Sequence, residues 1–124
     1  MIERLATIPG GPPQGGAYSH AVIANGFVFI SGQGPVDPAT GKMPDNFEAQ
    51  VRQVLINLKT ALEAAGSDLA HIVKVNAYLT DMSRFAEYNK IYREMMPAEL
   101  PARTTVGVSM PGFLVEIDCI AAQD

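Results

Sequence analysis

Residues 45–66 read DNFEAQVRQVLINLKTALEAAG, and within them Phe47, Val51, Val54, Leu55, Leu58, Ala61, Leu62 and Ala65 recur at intervals of mostly three and four. That interval lines the apolar side chains along one stripe of a helix with 3.6 residues per turn. Asp45 stands three residues before Glu48, a start like that of a capping box, and Gly66 closes the pattern. A little further on the period changes. Val73, Val75, Ala77 and Leu79 alternate with Lys74, Asn76 and Tyr78, the two-residue repeat of a half-buried strand. A one-sided helix followed by a one-sided strand predicts a helix layer laid on a sheet.

Toward the C-terminus, Phe85, Tyr88, Ile91, Tyr92 and Met95 define a second amphipathic helix, closed by Pro97. Two strands follow, Arg103–Ser109 and Leu114–Ala121, joined across Met110-Pro111-Gly112-Phe113. Toward the N-terminus, Met1–Ala6, Ser19–Ala24 and Phe27–Ser31 read as strands, the last two joined by Asn25-Gly26, the strongest short hairpin signal. Gly34 to Pro44 carries three prolines and predicts an irregular excursion. The glycine-rich run Pro9–Gly16 is a loop, either a linker or a ligand-facing segment; no Gly-Lys-Ser/Thr follows it, which argues against a phosphate loop. The order is β-β-β-α-β-α-β-β, an α+β chain with two helices on one face of one sheet. Phe27-Val28-Phe29-Ile30 is apolar on both sides, so the helix-free face also needs burial. A homo-oligomer packed around that face is expected, against the alternative of a monomer with strongly curled strands.

With 124 residues the chain is long enough for one core, and a single domain over 1–124 is expected. Hydrophobic residues make up 48% and mean hydropathy is +0.10, values that argue against disorder. No apolar run is long enough to cross a bilayer, and Met1-Ile2-Glu3-Arg4-Leu5 lacks a secretory pattern, so a cytoplasmic setting is expected. The single cysteine, Cys119, excludes an intramolecular disulfide and a cysteine-based zinc site. A net charge of −4 has the wrong sign for gripping a phosphate backbone, so nucleic acid is not an expected partner.

Only 18% of residues are charged, yet Arg103 heads one apolar strand and Glu116 interrupts another. An unpaired ion on a half-buried sheet loses hydration that apolar neighbours do not replace, which singles out these two for chemistry. Alternation puts Arg103, Thr105 and Gly107 on one face of their strand and Glu116 with Asp118 on one face of theirs. If the intervening turn pairs Ser109 with Leu114, Gly107 faces Glu116 and leaves room for a small ligand or water. Arg103 then supplies a planar fork suited to a carboxylate. The alternative is an edge salt bridge from Arg103 to Glu116 or Asp118. Ser31-Gly32-Gln33-Gly34 is either an ordinary turn or an oxygen cradle of backbone N–H groups. Asn89 falls on the apolar face of the second helix, as a structural tie or a pocket amide, and Tyr18 either packs or walls a pocket. His20 and His71 lack ligand spacing, and no metal is expected.

Taken together, Gly16-Ala17-Tyr18-Ser19-His20-Ala21, Ser31-Gly32-Gln33, Glu63-Ala64-Ala65-Gly66, Asn89-x-x-Tyr92, Pro101-Ala102-Arg103-Thr104-Thr105 and Val115-Glu116-Ile117 resemble the RidA/YjgF family of reactive-intermediate deaminases, also called the endoribonuclease L-PSP family. The resemblance spans nearly the whole chain. It implies a chorismate-mutase-like α+β fold, a mixed sheet of about six strands with two helices on one face, and a homotrimer with clefts between subunits. It further implies hydrolysis of enamines and imines such as 2-aminoacrylate to 2-oxo acids and ammonia, with small 2-imino and 2-oxo carboxylic acids as ligands and no cofactor. By position, Arg103 resembles the family's substrate-carboxylate arginine and Glu116 the acid that holds or activates water. Tyr18, Ser31, Gly32, Asn89 and Thr105 match pocket positions, Gly32 and Thr105 through backbone N–H groups. Ala17 replaces the usual proline, His20 the usual glutamine, Gly34 a common apolar residue, and Thr105 a position often held by cysteine or another small residue; these departures bear on substrate range. Three other functions fit the resemblance less directly: a 2-aminomuconate-type deaminase, an endoribonuclease or translation inhibitor, and a non-catalytic metabolite-binding protein.

Overall fold

The computed structural model describes residues 1–123. Its strands are β1 (Ile2–Leu5), β2 (Ala21–Ala24), β3 (Phe27–Gln33), β4 (Ile72–Leu79), β5 (Ala102–Gly107) and β6 (Val115–Ala122), with helices α1 (Phe47–Ala64) and α2 (Phe85–Met95). The expected element order holds. All six strands form one sheet in the order β1-β2-β3-β6-β4-β5, antiparallel except for the β4–β5 pair.

Local chemistry accounts for most boundaries. Asn25 (φ 55°) and Gly26 (φ 81°) both occupy the left-handed region that a two-residue turn between twisted strands requires. The helix α1 is capped by Asn46, whose side chain accepts from the Ala49 N–H at 2.8 Å. The expected cap at Asp45 is therefore one residue early, because it is the Asn46 carbonyl that lies within reach of a free first-turn amide.

Val51, Val54, Leu58 and Leu62 of α1 are fully buried against Val28, Val75, Ala77, Leu79, Val115 and Ile117 from the sheet, and Tyr88, Ile91 and Tyr92 of α2 complete the same core. Each fully buried aliphatic side chain contributes about 1.5–3 kcal/mol relative to exposure. Both helices lie on one sheet face. The other is uncovered, with Phe27 and Phe29 each 42% exposed and Val106 40% exposed.

The register of the last two strands differs from expectation. The strands β5 and β6 are not neighbours, because β4 lies between them, antiparallel to β6 and parallel to β5. Gly107 consequently pairs with Leu79 and meets Met82, not Glu116, while Glu116 pairs with Tyr78 and Asp118 with Asn76. The connection from β5 to β6 is a crossover past one strand rather than a hairpin.

Candidate active site

Alternation along β6 buries Val115, Ile117, Cys119 and Ala121 under the helices and turns Glu116 and Asp118 to the helix-free face. In β5, Arg103 pairs with Val75 and Thr105 with Ala77, both fully buried on the helix side. Arg103 and Glu116 therefore stand on opposite faces of one sheet. The alternative salt bridge from Arg103 to Glu116 or Asp118 is absent among the described residues, since the sheet itself separates the groups.

Around Glu116, the structure brings together four of the residues singled out from sequence. Tyr18, Ser31, Gly32 and Glu116 line a concavity of about 410 Å³ with Ile30 and Asp118. An adjoining hollow of about 170 Å³ is walled by Pro12, Tyr18, His20, Gly34, Phe113 and Glu116 among others. The glycine-rich loop thus faces the site, with Gln14 Nε2 donating to the Tyr18 carbonyl and the Tyr18 hydroxyl accepting from the Gly15 N–H at 2.9 Å.

The register between β3 and β6 shifts between Ile30 and Gln33, so Ser31 and Gly32 form a bulge beside Glu116. A methyl group at position 32 would come within 2.7 Å of the Glu116 carboxyl carbon and closer still to Oε2. Only a residue without a side chain lets that carboxylate lie against the strand backbone. The glycine that makes room for Glu116 is thus Gly32 rather than Gly107. Ser31 Oγ donates to the Ser19 carbonyl at 2.5 Å, fastening the bulge to the segment before β2.

Glu116 is half-buried and has no ion-pair partner among the described residues. Burial first, and then the nearby Asp118 charge, push its carboxyl above its ordinary range. Asp118 accepts from Asn76 Nδ2 at 2.9 Å and from the Tyr78 hydroxyl at 2.7 Å. That hydrogen bond, helped by burial, pushes the Tyr78 phenol up to about 12.

Arg103 occupies a different setting. Its guanidinium carbon lies 4.8 Å from the Tyr92 ring centroid, 5.4 Å from that of Tyr88 and 5.6 Å from that of Phe85, all three on α2. These rings attract the cation through their π faces while leaving carboxylate-binding donors unclaimed by any acid of the described residues. Asn89, half-buried, joins Arg103, Tyr92, Arg93, Leu100 and Pro101 around a cavity of about 240 Å³. Thr105 follows Arg103 on the same face but lines none of these three hollows, and its buried Oγ1 has no hydrogen-bond partner among the described residues.

Sequence reasoning missed two groups of residues. Asn76 and Tyr78, which hold Asp118, were visible only as the polar positions of an alternating strand. Gln50 and Asn57 sit on the buried face of α1 and reach out of it: Asn57 Nδ2 donates to the Gly34 and Val36 carbonyls at 2.9 and 2.8 Å, and Gln50 Oε1 accepts from the Leu114 N–H at 2.9 Å. Two amides inside an apolar stripe were the available signal for them, because buried amides need partners. His20 is 3% exposed, with Nδ1 lying 3.3 Å from Gln33 Nε2.

Comparison with known proteins supplies the remaining findings. A family model described as Endoribonuclease L-PSP matches residues 11–123. A RutC family protein of Pyrococcus horikoshii is 46% identical over 112 residues, covering 88% of this chain and 89% of that protein. The crystal structure of RidA from an Antarctic Psychrobacter is 38% identical with a TM-score of 0.92, covering 97% of this chain and 99% of the other. The E. coli TdcF structure with bound serine is 32% identical with a TM-score of 0.90, covering 98% of this chain and all of the other.

Proposed function

The chain belongs to the endoribonuclease L-PSP family, which includes RidA, and from that premise we propose that it hydrolyses reactive enamine and imine acids of the 2-aminoacrylate type to 2-oxo acids and ammonia. The observation that carries this reading is a half-buried, unpaired carboxyl at Glu116, raised above its ordinary range and seated against Gly32 in a concavity of ligand size. A carboxylate made more basic than usual is better suited to take a proton from water.

The chemistry asks little else of the protein. An enamine acid becomes its imine by gaining a proton at carbon and losing one from nitrogen. In the reading proposed here, the Arg103 fork holds the substrate carboxylate, and Glu116 takes a proton from water as the oxygen attacks the C=N carbon. The nitrogen, protonated in turn, leaves as ammonia when the C–N bond breaks and the carbonyl forms. Water is the only co-reactant. Because Arg103 and Glu116 lie on opposite sheet faces in one chain, the site is proposed to form between copies, Arg103 of one meeting Glu116 of a neighbour. Burial of Phe27, Phe29 and Val106 in a homotrimer would provide that assembly. Small 2-imino and 2-oxo acids are the proposed ligands, supported by the serine held by TdcF. Ribonuclease action is disfavoured by the net charge of −4.

The test generates 2-aminoacrylate with a serine dehydratase and follows pyruvate release with and without this protein. Acceleration that disappears in Arg103→Ala supports the reading. A parent that leaves the rate unchanged, or an Arg103→Ala variant as active as the parent, returns the site to ligand binding alone. Light scattering tests the assembly: about three times the 13.3 kDa chain mass is expected, and a stable monomer at micromolar concentration overturns the shared site.

A further inference from the structure

Asp118 is a charged group that the proposed reaction leaves without a role, although it lines the same concavity as Glu116. The two acids are alternate residues on one strand, so their side chains share the helix-free face about 7 Å apart. Nature of the hold on Asp118 is informative. Both of its oxygens are engaged, one by Asn76 Nδ2 and one by the Tyr78 hydroxyl, and both donors are neutral. None of the ion pairs among the described residues includes Asp118. A lysine or arginine partner would orient the carboxylate and cancel its field, whereas an amide and a phenol orient it and leave the field intact.

Within one chain the other titratable groups facing Glu116 are few, and in the proposed assembly Arg103 of a neighbouring copy joins them as the one cation. Tyr78 is its register partner on β4, and Tyr18 and His20 approach from the segment before β2, His20 with Nδ1 directed at Gln33. From β3 it meets Gly32, which carries no charge. Tyr78 remains a donor across the neutral range, its phenol being pushed up to about 12. Asp118 is the one acid among these neighbours.

We propose that Asp118, clamped by Asn76 and Tyr78, is a positioning residue for Glu116: a fixed negative charge that keeps the neighbouring carboxyl basic enough to take a proton from water and return it. The inference rests on the reading of Glu116 as the proton-handling group of the site. Asp118 touches no reacting atom. Its effect is electrostatic and has a definite sign: a nearby anion disfavours the ionised form of Glu116, and removing it makes Glu116 a stronger acid and a weaker base.

The test reads Glu116 without substrate. In protein carrying ¹³C-labelled glutamate carboxyls, with Glu116 assigned by its loss in Glu116→Gln, the titration midpoint is compared between the parent and Asp118→Asn. A fall of about 0.5–1.5 pH units is expected, the range for unit charges at this separation between an aqueous and a near-surface dielectric. Tyr78→Phe keeps the charge and should move the midpoint by less than about 0.3 unit. Should Asp118→Asn fail to fold, Asp118→Ser removes the charge while keeping an acceptor for Tyr78. An unmoved midpoint in whichever charge-removing variant folds overturns the proposal, as does an equal shift in Tyr78→Phe, which would assign the effect to packing. The rate profile is a separate readout: the acid limb of pyruvate release should move to lower pH with the midpoint, and the plateau should fall several-fold, roughly as expected for a weaker base. A shifted midpoint with no turnover in the parent supports the charge relation and overturns the deaminase reading.

Discussion

Arg103 is held under α2 by the faces of three aromatic rings, whereas Glu116 lies on the other side of the sheet against the backbone of Gly32 and beside a second acid. The first setting fixes a cation without spending its hydrogen-bond donors; the second crowds an anion without giving it a counter-ion. A structural charge is ordinarily satisfied where it stands, as Arg52 is by Glu48 and Glu94 at 3.0 and 2.9 Å. Neither Arg103 nor Glu116 is satisfied in this way. The contrast fits the proposal that each region is half of an arrangement made between copies, since in one chain the sheet itself keeps the two apart.

Complementation between copies is the most direct way to break that contrast. Arg103→Ala and Glu116→Gln, each inactive as a homo-oligomer, should regain about a quarter of parental activity when co-expressed, since that share of sites in a random mixture draws both intact residues. No recovery in mixed oligomers of confirmed composition would remove the proposed division of the site. The two halves should also fail in different ways. Glu116→Gln should lower kcat by roughly 10²-fold or more while leaving 2-oxo acid affinity close to the parent's. Arg103→Lys, which keeps charge but loses the planar fork, should weaken 2-oxo acid binding by about 10-fold or more, measured by calorimetry. Equal changes in binding and turnover for both variants would erase the distinction.

A smaller effect tests how Glu116 is seated. Gly32→Ala should force the carboxylate off the β3 backbone and reduce turnover by about 10-fold, the scale expected for misplacing a reacting group, with the fold intact by circular dichroism. Unchanged turnover would show that the close approach to Gly32 is incidental. Smallest of all, Arg52→Ala should leave turnover unchanged and lower Tm by no more than about 4 °C, because an exposed ion pair contributes little. A large loss there would blur the difference between a satisfied arginine and Arg103.

The elements that were legible in sequence are those defined by local repeats. The stripe from Phe47 to Ala65, the alternation from Val75 to Leu79 and the Asn25-Gly26 turn appear at their expected places to within a residue or two, whereas Val73 is 46% exposed and Ile72 is buried instead, because the register with β6 shifts between Ile72 and Lys74. Faces were legible as well, since period-two alternation places Arg103 with Thr105 and Glu116 with Asp118. Strand neighbours were not. Alternation states which way a side chain points but not which strand lies beside it, so the proximity of β5 and β6 in sequence suggested a hairpin where β4 intervenes. That one difference exchanged Gly107 for Gly32 as the glycine beside Glu116 and hid the Tyr78–Asp118 contact. The bulge at Ser31-Gly32 was foreshadowed by a glycine inside a strand, but its position against β6 depends on long-range pairing.

The side-chain amides of Gln50 and Asn57 tie the rim of the Glu116 hollow to the middle of α1. Leu114 gives its N–H to Gln50, and the Gly34 and Val36 carbonyls receive Asn57. A turn fastened in this manner does not fray on its own, because releasing it strands two amides in the core. In hydrogen exchange, the Leu114 amide should accordingly open together with α1 rather than with the exposed Pro111-Gly112 turn beside it. The rim of the hollow then shares the stability of the helix, and the open concavity keeps its shape for as long as α1 stays folded.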